Sequence, residues 1–194
     1  MNPWRAGCAE TCKSGSEGGP RKRTGRNPDT APRPDPYTEH PTREGKIYCC
    51  AVIDAFSRMV VGWSIDSRQT GLLVTNALGM ALNRRAPREG GIIHSDQGVQ
   101  FGSWVSSQKV TEASLAPSAG AVGAPFEDAM VEAFWARMQV ELLNRRRWKT
   151  RVELATAIHD YIEIWHNTRR RHSALQMLTP TEFESQHQHQ QTAA

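Results

Sequence analysis

Residues 47–65 read IYCCAVIDAFSRMVVGWSI. The run 47–54 is apolar and β-prone, and a short turn, Ala55-Phe56-Ser57, leads into a second such run at 59–65. Two runs of this kind joined by a short loop predict an antiparallel hairpin. On the C-terminal side, Thr70 reads as an N-cap and LLVTNALGMALNRR as a helix that ends before Pro87. Leu73, Ala77, Met80 and Ala81 recur at helical spacing along it. Residues 90–96, GGIIHSD, read as a short buried strand that ends in an acid. A helix is expected at 103–113, a short strand at 114–117, and two longer helices at 127–146 and 150–167. Thr179-Pro180-Thr181-Glu182 is a capping signal for a last short helix. A hairpin followed by helix, strand, helix, strand and further helices predicts an α/β fold with a mixed sheet flanked by helices.

The 194 residues allow one domain plus tails, and composition divides them. Residues 1–46 contain no Leu, Ile, Val or Phe and carry nine Lys/Arg against six Asp/Glu. Such a segment buries too little apolar surface to offset its ordering entropy, so 1–40 is expected to be a disordered tail. Residues 41–184 form the expected domain, and the Gln/His-rich 185–194 a second disordered tail. No run approaches the roughly 18 apolar residues of a membrane span, and no signal-peptide pattern opens the chain. Four cysteines do not make a disulfide scaffold at this length, which suits a reducing, cytoplasmic compartment. Cys8 and Cys12 lack further nearby zinc ligands, and Cys49-Cys50 read as small buried hydrophobes. Gly90-Gly91 lacks the Lys-Ser/Thr of a phosphate loop.

Two acids stand where metal chemistry needs them. Asp96 follows a buried strand, and ligands of open α/β sheets gather at the carboxyl ends of strands. On the helix after residue 127, Met130, Phe134, Met138 and Leu142 repeat every four residues and should face the core. Glu132 lies about 200° around the helix from Met130 and so points away from that ridge. Fixed carboxylates from separate elements are suited to Mg²⁺ or Mn²⁺ and to two-ion phosphodiester chemistry. Singly, each acid also has an ordinary reading, as a turn former or a solvated helix residue. Asp54 is a third acid in the hairpin, where a turn role competes more strongly. His94, two residues before Asp96, reads as a packed or hydrogen-bonded ring.

Four blocks, YTEHPTREGKIYCCAVIDAFSRMVVGWSID, IIHSDQGVQF, EDAMVEAFWARMQVELLNR and YIEIWHNTRRRHSALQMLTPTEFE, resemble insertion-sequence transposases with a retroviral-integrase-type catalytic core. The likeness is to bacterial transposases encoded in two overlapping frames, and it runs from about Thr38 to Glu184. The His-Ser-Asp-x-Gly block and the Asp-Ala-x-x-Glu block, with 35 residues between Asp96 and Glu132, are specific together. The resemblance implies a ribonuclease-H-like fold, an Asp-Asp-Glu triad and two Mg²⁺ or Mn²⁺ ions. It also implies cleavage of a donor strand, transfer of its 3′-hydroxyl into target DNA, a homo-oligomer, and a bacterial, nucleoid-associated location. Asp96 would be the second Asp and Glu132 the Glu. The place of the family's first Asp falls on Pro36, and Asp35 stands one residue out of register, which in a strand turns a side chain to the opposite face. Asp35 is therefore a displaced candidate for the first ligand. With little family likeness before Thr38, a frameshifted or internally started N-terminus is expected. An inactive remnant that still binds DNA or transposase subunits is the alternative reading.

Charge within the domain is uneven. Residues 144–172 hold eight basic residues against three acids, whereas 47–143 hold seven against nine. Arg145, Arg146, Arg147, Lys149, Arg169, Arg170 and Arg171 are the candidate DNA-binding residues, since phosphate-rich partners are held largely by such clusters. Trp135, Trp148 and Trp165 read as packing residues.

Overall fold

Strand β3, Gly45–Asp54, carries the architecture. Its side chains alternate between two apolar layers. Ile47, Cys49, Ala51 and Ile53 enter one core with Met130, Phe134, Met138, Leu154, Ile158 and Ile162. Cys50 and Val52 enter a second core on the other face, with Leu73, Val74, Ala77, Leu78 and Ile93. A strand buried on both faces must be apolar throughout, which is why the run at 47–54 has no polar alternation. The computed structural model of the protein describes residues 5–8, 37–87, 90–95, 104–119 and 125–192.

Among the described residues the sheet has six strands: β1 Arg5–Cys8, β2 Tyr37–Thr42, β3, β4 Val60–Asp66, β5 Ile92–Ser95 and β6 Ala116–Ala119. Its path runs β2-β3-β1-β5-β6, and β4 also pairs with β3. The expected hairpin is β3–β4, antiparallel from Tyr48↔Asp66 to Ile53↔Val60, with a register shift between Val52 and Ile53. The shift leaves Val61 as an extra residue, which lets both Val61 and Gly62 face the helix beneath. That helix is α1, Gly71–Arg85. Helix α2, Trp104–Glu112, joins β5 to β6. On the opposite face lie α3, Pro125–Glu141, and α4, Arg151–Asp160, which continues as a π-helical stretch over Tyr161–His166. Helix α5, Pro180–Thr192, closes the described chain.

β1 and β2 occupy one lane of the sheet. Both run antiparallel to β3, and both pair with its edge away from β4. Ala6 and Gly7 stand opposite Asp54 and Ile53, and Tyr37 stands opposite Cys50. Counting on from Gly7 puts Cys8 opposite Val52, so the place opposite Ala51 falls between the two segments. The central lane is thus split between residues 5–8 and 37–42. Sequence composition assigns 1–40 to a disordered tail, yet β1 and the start of β2 fall in that stretch. The reason is backbone pairing: the inner edges of β3 and β5 present ladder groups that need partners, and the proline-free segment Arg5–Cys8 supplies them without needing apolar side chains.

The C-terminus also extends further in structure than composition suggests. Glu182 and Thr179 cap α5 reciprocally: the Glu182 N–H donates to Thr179 Oγ1 at 3.2 Å, and the Thr179 N–H to Glu182 Oε2 at 2.9 Å. The Phe183 ring lies 5.0 Å from Phe56 and 4.2 Å from His187. Arg85 binds Glu184 with both terminal nitrogens, tying α5 to α1. The helix therefore continues through Thr192, into the stretch 185–194 that reads as a tail. Among the described residues, no helix is long and apolar enough to cross a membrane.

Asn167 completes the hairpin's free edge. Its Oδ1 accepts from the Val60 N–H and its amide donates to the Val60 carbonyl, both at 3.0 Å and both buried. The side chain does there what another strand would do. The π-helical turn delivers it, since the Asn167 N–H reaches back five residues to the Ile162 carbonyl. Replacing Asn167 with Ala leaves both Val60 groups buried without partners, at about 1–3 kcal/mol each. We expect Asn167→Ala to lower stability by roughly 2–4 kcal/mol, read as the urea midpoint. A midpoint within experimental scatter of the unsubstituted chain would show that water replaces the clamp.

Candidate active site

Three parallel strands end in one row. β1 and β5 pair in parallel with Cys8 opposite Ser95, and β5 and β6 with Ser95 opposite Ala119. Asp96 is the next residue after Ser95; it lies outside the described residues, as does Asp35. Helix α3 packs against β1. Its buried arc is Met130, Val131, Phe134, Trp135 and Met138, and Glu132 is exposed. Glu132 therefore stands off the core ridge, as its spacing from Met130 predicts.

Carboxylates suit a hard divalent cation, and Glu132 is free of any structural burial that would compete. Among the described residues, no group of three or more His, Cys, Asp or Glu could hold a metal ion. Asp54 is committed elsewhere. The Phe56 N–H donates to its Oδ1 at 2.9 Å, and the Arg85 guanidinium lies 3.3 Å from its Oδ2. Burial raises its pKa, against the pull of the Phe56 bond and Arg85. It is a turn residue, the stronger of its two sequence readings. His94 is buried on β5, and Cys49 and Cys50 are buried thiols outside any disulfide among the described residues.

The basic residues divide by environment. Arg145, Arg146, Arg147 and Lys149 are exposed around the 3₁₀ turn Leu143–Arg145, and Arg146 lies over the Trp148 ring at 4.3 Å. Arg169 and Arg171 are exposed after the π-helical stretch. Arg170 is instead held inside the fold, where its guanidinium donates to Glu141 at 2.9 Å. Glu141 also accepts from the Tyr161 hydroxyl at 2.9 Å and the Trp165 indole at 3.1 Å. Trp135 and Trp148 are buried packing residues, while Trp165 is about half-exposed.

Two histidines beside this hub are expected to make folding pH-dependent. His166 and His172 lie with rings 5.0 Å apart. Burial pushes each down from 6.5 to about 4, and nearby Arg170 adds to the effect. The unfolded chain takes up these protons near 6.5, whereas the folded chain refuses them until about 4. Stability conferred by the neutral rings is therefore present above 6.5 and is lost as pH falls from 6.5 toward 4. The urea midpoint is expected to fall between about pH 7 and about pH 5, above the range of ordinary carboxylates. An unchanged midpoint across that window would contradict the two buried neutral rings.

A mixed sheet whose parallel strands β1, β5 and β6 end in one row, with helix α3 packed on it, defines a ribonuclease-H-like core. Solved structures share it. A chain of a simian T-cell lymphotropic virus intasome in complex with PP2A regulatory subunit B56 gamma superposes with a TM-score of 0.58 at 14% identity, covering 76% of this chain and 51% of that one. The magnesium-bound catalytic core of HTLV-2 integrase superposes with a TM-score of 0.53 at 17% identity, covering 76% and 90%. Residues 36–125 and 113–180 each match an integrase core domain family, and the chain belongs to that family. Within it the chain is similar to insertion-sequence transposases. It is 38% identical over 144 residues to the transposase of element IS904 from Lactococcus lactis, covering 74% of this chain and 57% of that protein. To the InsF transposase of IS3fB from Escherichia coli it is 37% identical over 145 residues, covering 75% and 50%. The chain thus spans about half the length of these relatives.

Proposed function

We propose that the chain is a transposase catalytic core that cleaves DNA phosphodiesters and joins the freed 3′-hydroxyl to target DNA. The observation that carries this reading is the meeting of two elements: the row of parallel strand ends that leads directly into Asp96, and α3, which presents Glu132 outside the core while packing on β1. The transposase relatives support it. In this reading Asp96 and Glu132 hold Mg²⁺ or Mn²⁺, and Asp35 is the candidate for the remaining ligand. When bound, such ions activate the attacking oxygen and stabilise the leaving one. Glu132 contributes a fixed carboxylate from a rigid helix, and the sheet fixes the backbone before Asp96. Arg145, Arg146, Arg147 and Lys149 form one DNA-facing cluster, and Arg169 and Arg171 a second, with Arg170 bracing the segment from within. The acting species is a homo-oligomer working on element ends and target DNA in the bacterial cytoplasm.

The test is nicking and strand transfer on labelled DNA that carries the element's ends. Activity is expected with Mn²⁺ and none after chelation, while DNA binding persists and weakens steeply with salt. Cleavage that survives chelation would overturn the metal mechanism. Salt-sensitive binding with no cleavage under any divalent ion would overturn the catalytic reading in favour of a binding remnant.

A further inference from the structure

A cavity of about 330 Å³ opens between α3, the β3–β4 turn and the segment after the π-helical stretch. This is at the small end of the range for small-molecule sites. Its lining includes the apolar Ile53, Met130 and Phe134. It also includes Arg58, Arg137, Arg170, Arg171, His166 and His172. No carboxylate is among the described lining residues. Arg170 is balanced by Glu141, whereas neither Arg137 nor Arg171 forms an ion pair among the described residues.

A second observation is independent of charge. His166 Nε2 lies 3.0 Å from the Arg58 carbonyl and must donate to it. That tautomer leaves Nδ1 as a bare acceptor, and Nδ1 is buried with no hydrogen-bond partner. His166 is only 4% exposed. His172 Nε2 is likewise buried without a partner. Both nitrogens are closed off within the cavity's wall, so the two rings shape the lining without offering these atoms to it.

We propose that this cavity binds a nucleotide-sized, phosphate-bearing ligand. The phosphate sits among Arg137, Arg171 and Arg58, whose guanidinium forks match phosphate oxygens. The flat part lies against Phe134 and Met130. The site is separate from the candidate metal acids: Phe134 lies about 200° around α3 from Glu132. The proposal therefore does not rest on the catalytic reading. The ligand chemistry is shared by a free mononucleotide and by the terminal nucleotide of a single DNA strand.

Calorimetric titration of the full chain tests it, with deoxyadenosine monophosphate, inorganic phosphate, deoxyadenosine, and a short single-stranded oligonucleotide with and without a 5′-phosphate. The monophosphate or the 5′-phosphorylated strand is expected to bind at least about tenfold more tightly than phosphate alone, and the nucleoside not at all. Binding by the monophosphate identifies a free nucleotide as the source; binding by the phosphorylated strand alone identifies a strand end. Arg137→Gln, outside both DNA-facing clusters, should weaken binding at least about tenfold. Ala133→Trp, at an exposed position on the cavity wall, should block it. Both variants should keep the melting temperature of the unsubstituted chain. Absence of binding by every phosphate ligand at millimolar concentration would overturn the site. So would equal affinity for inorganic phosphate, or binding that survives both folded variants. Metal-dependent nicking by the same preparations is read separately, so failure here leaves the catalytic reading intact.

Discussion

Gly62→Ala is expected to cost at least about 3 kcal/mol, a large fraction of the stability of a domain of this size. A Cβ at Gly62 would lie 2.1 Å from the Ala77 carbonyl oxygen, 2.7 Å from the Ala81 nitrogen and 2.8 Å from the Ala81 Cβ. Two of these three are backbone atoms of α1, which cannot turn aside as a side chain does. Relief would require α1 to lift from β4, and Leu73, Val74, Ala77, Leu78 and Ala81 would then lose contact with their core. Gly79 supplies the internal control. A Cβ there meets only the Lys109 ammonium at 3.1 Å, the far end of a flexible chain. Gly79→Ala is expected to be neutral or to stabilise by about 0.5–1 kcal/mol, because alanine is the better helix former. Urea denaturation of the two variants should move the midpoint in opposite directions or move only the first. Equal midpoints would mean that α1 does not sit on β4 as closely as the structure has it.

The helix–strand contact at Gly62 is not legible in the sequence. Residues 59–65 read as a strand because they are apolar and β-branched, and the strand is there. A glycine in such a run signals close approach without naming the partner. The bulge at Val61 changes which face Gly62 turns to, and bulges leave no composition signal of their own. By contrast, both α3 assignments were readable from spacing alone, because a four-residue repeat of large apolar side chains fixes the buried arc and so places Glu132. The α5 cap was readable too, since Thr179 and Glu182 satisfy each other's backbone locally. Asn167 was not: its partner, Val60, is far away in sequence, and a six-residue π-helical stretch sets the side chain's direction. The same long-range character hides Glu141, which gathers Tyr161 and Trp165 from the π-helical stretch and Arg170 from the segment after it, and the cavity lined by Arg58, Arg137 and His166. The split central lane is the clearest case. No hydrophobic pattern distinguishes residues 5–8 from their surroundings, and only the unpaired inner edges of β3 and β5 give them a place.

The second large effect concerns activity rather than stability. Glu132 is exposed and makes no core contact, so Glu132→Gln should leave the urea midpoint within about 0.5 kcal/mol of the unsubstituted chain. Glutamine keeps the size and loses the charge that a hard cation needs. Loss of groups that merely orient metal ligands costs about 10–100-fold, so loss of a direct ligand should reduce Mn²⁺-dependent cleavage by at least about a hundredfold. Asp96→Asn should do the same. Asp35→Asn separates two arrangements: a comparable loss places Asp35 in the ligand set, and an unchanged rate places the remaining ligand elsewhere. The most direct measurement is titration of Mn²⁺ into the full chain and into its Asp96→Asn and Glu132→Gln variants, with bound ion followed by its magnetic resonance signal. The account predicts specific binding by the unsubstituted chain that is weakened in both variants while each stays folded. Mn²⁺ bound equally by all three folded proteins would contradict the assignment of Asp96 and Glu132 to one metal centre.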